Sequence, residues 1–197
     1  MIKNNLDRVL GFSGIIGIVV LWATILIGMS ISGLKLIDSR PFSSLGVDPQ
    51  TASLFSTGLI ISAALFSIFG FFLQRKFAVK SKFLMYLLIG QAGQVVAALA
   101  PYGSDSRYKT LHTLAAFTLA LSLPILIRSF AYSQINSKYF KLYIRLFRLE
   151  LAAFLIGMGI FIFTTGIAPL GQAMPAIGFH IWIIALTLIT HRTLQDN

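Results

Sequence analysis

Apolar residues in this chain neither alternate with polar ones nor keep to a single helical stripe. They run almost unbroken through six stretches, roughly 9–32, 51–73, 83–100, 111–130, 145–168 and 175–190. About 20 such residues in a helix cross a hydrocarbon core of ~30 Å. Helices satisfy the backbone there, whereas a closed barrel would need alternating positions. The pattern predicts an all-α fold: one polytopic transmembrane domain over 1–197, a six-helix bundle whose last span, 175–190, is the shortest. The first span follows Lys3 and Arg8, as the core of a signal peptide would. Its apolar run is longer than such a core and lacks an A-x-A-like cleavage site, so it reads as a retained helix.

Composition agrees. Hydrophobic residues make up 56% and charged residues 11%, against about a quarter charged in soluble domains. A mean hydropathy of +0.83 leaves too little polar surface for a water-soluble domain. The formal charge of +10 would suggest nucleic acid in a soluble chain, but its placement argues otherwise. Twelve of the 16 Lys and Arg fall in the N-terminus, the even-numbered loops and the tail. The positive-inside rule therefore places both termini in the cytoplasm. Membrane lipids, rather than nucleic acid, are the expected partners. There is no cysteine, which removes disulfides, thiolate metal sites and cysteine nucleophiles.

Lys138, Lys141, Arg145 and Arg148 recur at helical spacing before the fifth span. They form a basic amphipathic flank, which reads as an ordinary cytoplasmic flank anchored by aromatics or as a site for anionic lipid head groups. Glu150 lies close by and is expected to pair with Arg148, Arg145 or Arg128, because a lone carboxylate at that depth is costly. The small residues of Gly90-Gln91-Ala92-Gly93-Gln94 and Gly157-Met158-Gly159 suggest close helix packing.

An internal likeness singles out two histidines. Ala100-Pro101-x-Gly103 precedes His112, and Ala168-Pro169-x-Gly171 precedes His180, all at one offset of 68 residues. This suggests that helices 3–4 and 5–6 are a tandem repeat, each Pro-x-Gly ending one helix and each histidine opening the next. Ionisable residues in membrane helices are candidate functional groups. His112 and His180, with Asp48 or Asp105 from the outer loops, would be a sufficient ligand set for zinc and an activated water. The same pair would serve as axial ligands of a b-type haem. Gln91, Gln94, Thr164 and Thr165 would supply polar atoms to a small transporter. His191, beside Arg192, reads as a flank residue.

The segment Ser43-Ser44-Leu45-Gly46-Val47-Asp48-Pro49, leading into Ala52-Ser53-Leu54-Phe55-Ser56-Thr57-Gly58-Leu59, resembles the S-x-L-G … P … A-x-L-F-N-x-G-L approach to helix two of the domain-of-unknown-function 998 family. Pro101, Gly103 and His112 with Ala115, Ala116 and Phe117 are similar to that family's turn before helix four. The chain departs at Ser44, where an acidic residue is frequent, and at Ser56, where Asn is frequent. The resemblance spans about 9–190 and implies a six-helix protein of a prokaryotic plasma membrane. It is distantly like the FGF-receptor-activating-protein superfamily, whose eukaryotic members are linked to lipid remodelling. Acid chemistry at the loop is weakened by Ser44.

No P-loop, dinucleotide fingerprint or serine-hydrolase elbow occurs. The first reading is thus a lipid-associated membrane protein without demonstrable catalysis, its site at the outer face. A metal-dependent hydrolase or transferase on outer-leaflet lipids, a b-type haem protein and a small transporter are the alternatives.

Overall fold

The computed structural model of the chain describes residues 2–102, 106–163 and 166–195. Six helices form: α1 (Ile2–Ser32), α2 (Ala52–Phe77), α3 (Ser81–Leu99), α4 (Ser106–Ser133), α5 (Phe140–Phe163) and α6 (Ala168–Gln195), with a 3-10 helix, Phe42–Gly46, in the first loop. No strand occurs among the described residues. Each helix packs on the next, and α6 returns to α1. All six are long and apolar enough to cross a membrane, with mean hydropathy from 1.4 to 2.4 over their most apolar stretches. This is the architecture of a multi-pass membrane protein. The outward faces agree, since Leu26, Leu114, Leu155 and Leu188 are 58–62% exposed. Water penalises such surface and lipid tails do not.

Two expected boundaries move: the fifth helix ends at Phe163 rather than 168, and the sixth begins at Ala168 rather than 175. Helix α6 has 28 residues and is not the shortest; α3, with 19, is. The Pro169-x-Gly171 segment is expected from the sequence to end a helix. Pro169 sits in the first turn of α6, where its missing N–H has no intrahelical partner to lose. Pro175 lies inside the helix, and Gly157 of α5 makes room for its ring. A Cβ on Gly157 would stand 2.9 Å from Pro175 Cδ and 2.6 Å from the Gly171 carbonyl oxygen.

The two Pro-x-Gly segments consequently differ. Pro101 follows the end of α3, as expected, but Pro169 opens α6 rather than ending a helix. His112 stands six residues past Ser106 at the start of α4, whereas His180 stands twelve past Ala168 at the start of α6. Gly103 lies outside the described residues.

Packing divides the bundle into a tight half and an open half. At the end carrying loops two and four, Trp182 stacks on Phe179 at 5.8 Å and meets Phe130 edge-on at 5.6 Å. Phe130 in turn touches Tyr143 at 5.2 Å, which fastens α4 to α5 and α6. Such ring pairs supply dispersion, the main cohesive term between helices in lipid. At the opposite end a smaller cluster, including Ile25, Leu34, Phe42, Leu45 and Phe55, seals loop one onto α1 and α2. A cavity lies in this loop-one half.

Candidate functional site

The cavity has a volume of about 590 Å³ and draws its wall from α1, loop one and all five other helices. Leu21, Ile25, Phe55, Leu59, Leu123 and Pro175 make much of it apolar. Phe117 of α4 and Phe161 of α5 also line it and are 44% and 52% exposed, so their rings stand at its edge. No charged residue belongs to the lining among the described residues.

His112 contributes the most constrained polar group. The last carbonyls of α3 have no intrahelical donor, and His112 Nδ1 lies 3.0 Å from that of Ala97 and 2.8 Å from that of Ala100. Carbonyl oxygens only accept, so a hydrogen resides on Nδ1, and in the neutral imidazole the ring's other nitrogen, Nε2, is an acceptor. The ring of Tyr102 meets the imidazole edge-on at 5.7 Å, and Lys109 Nζ lies 5.3 Å from the Tyr102 ring centre.

Gln94, one turn from the end of α3, lines the same cavity. Its amide nitrogen donates to the Leu59 carbonyl at 2.9 Å and to Ser62 Oγ at 2.7 Å. Ser43 of loop one joins His112 on the wall. The expected convergence of loop one, Asp48 and both histidines is not seen in this lining, which includes Ser43 and His112 but neither Asp48 nor His180.

His180 is arranged differently. Its Nδ1 accepts the indole N–H of Trp22 at 3.0 Å, which puts its own hydrogen on Nε2. Phe66 at 5.9 Å and Phe179 at 6.0 Å pack around it, and it is not part of the cavity wall. The two imidazoles thus hold opposite tautomers, one capping α3 and one tying α1 to α6. Asp48 shapes the turn into α2, its Oδ1 accepting the Gln50 N–H at 2.9 Å and its carbonyl that of Ala52 at 2.8 Å. Asp105, Thr164 and Thr165 lie outside the described residues. Among the described residues no three His, Asp or Glu side chains are grouped to hold a metal ion.

Loop one is pinned by a short ion pair. Arg40 Nη2 lies 2.9 Å from Asp38 Oδ2, and this contact, with backbone hydrogen bonding from Arg40, lowers the Asp38 carboxyl to about 2. The Asp38 carbonyl accepts the Ala168 N–H at 3.0 Å, clipping the loop to the start of α6.

At the other end, Lys138, Lys141, Arg145 and Arg148 are all exposed, with Lys138 Nζ 5.1 Å from the Tyr139 ring centre. Tyr143, Leu146 and Glu150 point inward from the same stretch of α5. The expected pairing of Glu150 with an arginine is not found. Both of its carboxyl oxygens are buried, and among the described residues neither has a hydrogen-bond partner. Its helical position turns it toward Gly178 of α6, whose missing Cβ leaves it space, and away from the exposed arginines.

Gln172 of α6 also lines the cavity and was missed in the sequence, because the span seemed to begin only at 175. A polar residue within a membrane helix was the available signal. The packing reading of the glycine segments holds for Gly93 and Gly157, which lie against neighbouring backbone, while nothing stands within 4 Å of a Cβ on Gly159. In comparisons with known proteins, no family model, no curated protein and no solved structure matches the chain.

Proposed function

We propose that this multi-pass membrane protein holds a lipid, or a lipid-like molecule, in the cavity of its loop-one half, the half that the Lys and Arg distribution assigns to the outer face. One observation carries the reading: a mostly apolar space of about 590 Å³ is lined in part by the buried polar residues Ser43, Gln94 and His112 and has the exposed rings of Phe117 and Phe161 at its edge. Its size falls in the range of ligand sites, ~300–1,000 Å³. A tail passing between those two rings would remain in hydrocarbon while the head met His112 and Gln94. The resemblance to a family distantly like lipid-remodelling proteins favours the same class of ligand. The exposed Lys138, Lys141, Arg145 and Arg148 would in addition meet anionic head groups at the face that the positive-inside rule assigns to the cytoplasm.

Native mass spectrometry of the protein released from detergent tests the proposal. Wild type is expected to retain an adduct of lipid mass, and Ala120→Trp, which fills the cavity from α4, is expected to lose it. A wild type that takes up no lipid, or an adduct undiminished in the variant, would overturn the reading.

A further inference from the structure

The two most constrained polar groups in the cavity are both acceptors. His112 has Nδ1–H committed to the Ala97 and Ala100 carbonyls, leaving Nε2. Gln94 has both amide hydrogens committed, and because the Leu59 carbonyl only accepts, the amide cannot be turned over. What Gln94 retains is Oε1. These side chains are 5% and 4% exposed, so their geometry is set by packing rather than by solvent. Thr113, also on the wall, donates its hydroxyl hydrogen to the Lys109 carbonyl at 2.8 Å. Ser43, the third buried polar residue there, has a hydroxyl that can serve either way.

Among the described residues, no charged side chain lines the same cavity. Arg40 lies beside the wall residue Ser39, but its guanidinium is bound by Asp38. Lys109 is exposed and stands over the ring of Tyr102. A phosphate or carboxylate head would bring acceptors to His112 Nε2 and Gln94 Oε1, and would bury its charge against neutral donors alone, those of Ser43 and Gln172 among them. An ammonium head would bring donors, but also a charge with no counter-ion on the wall among the described residues, a costly burial. A hydroxyl brings a donor and no charge.

The geometry points to an uncharged lipid alcohol, the class that includes monoacyl- and diacylglycerols, with its hydroxyl donating to His112 Nε2 or Gln94 Oε1. This assignment rests on the lipid reading above and narrows it to one head-group chemistry.

Four probes that share a tail isolate the head: dodecan-1-ol, dodecyl methyl ether, dodecylamine and dodecyl phosphate, offered together to the purified protein and read by native mass spectrometry. Wild type is expected to take dodecan-1-ol over the ether by about fivefold or more, the effect of one hydrogen bond, and over both charged probes. In His112→Phe combined with Gln94→Leu the alcohol should fall to the level of the ether. An ether bound as well as the alcohol, or a charged probe bound best, overturns the assignment and leaves the lipid reading intact. If none of the four binds wild type, the lipid reading fails and the assignment with it. The head-group comparison is made on wild type, so a double variant that does not fold leaves it decisive.

Discussion

Gly93→Leu separates α3 from α4 and costs the protein about 3 kcal/mol or more. A Cβ at this position would stand 2.8 Å from the Ala115 carbonyl oxygen and 3.1 Å from the Leu119 amide nitrogen. Both are backbone atoms of α4, so no side chain can swing aside, and the helices themselves must part. Small residues permit such approach in membrane bundles, where packing replaces the hydrophobic effect as the force between helices. The damage extends to the site, because α4 carries His112 to the carbonyls of Ala97 and Ala100 at the end of α3. Gly159→Leu is the control: nothing lies within 4 Å of a Cβ there, and the variant should behave as wild type. Thermal unfolding in detergent, followed by size-exclusion chromatography, measures both. Equal stability of the two variants would mean that α3 and α4 are not in backbone contact at Gly93.

Glu150→Leu is expected to stabilise the protein by about 2 kcal/mol, the usual penalty of a buried polar group without a partner. For a chain of this size that is a rise of roughly 4–8 °C in Tm. The carboxyl is fully buried, and among the described residues both oxygens are without hydrogen-bond partners. Leucine has similar volume and removes the desolvated group without opening a void. A lowered Tm would show that the carboxyl has a partner, such as a bound ion or water, and that the site at Gly178 is more than a space left for its side chain.

The spans were legible because the lipid core imposes one rule on every residue in it, and continuous apolar runs record that rule directly. Helix α6 was the exception. Proline was read as a barrier, yet its cost depends on which N–H it removes, and Pro169 removes one without a partner. The site was legible in its residues and illegible in its geometry. His112 stood out through its Pro-x-Gly neighbour. The tautomers depend on atoms brought in by folding: the Ala97 and Ala100 carbonyls for His112, and the indole of Trp22, 158 positions away, for His180. Equal spacing within a repeat carries no information about such partners. Glu150 misled for a related reason. Arg145 and Arg148 are neighbours in sequence, but the rotation of α5 sends them outward and the carboxyl inward.

The central claim is that the cavity, rather than the outer surface of the bundle, is where a lipid is held. Photolabelling in lipid nanodiscs with dodecan-1-ol carrying a diazirine on its tail tests it most directly, with labelled residues located by mass spectrometry. The account predicts labels concentrated on cavity residues such as Met158, Phe117 and Ala120 and reduced by excess unlabelled dodecan-1-ol. Labels spread over outward leucines such as Leu26, Leu155 and Leu188, and insensitive to competitor, would contradict it.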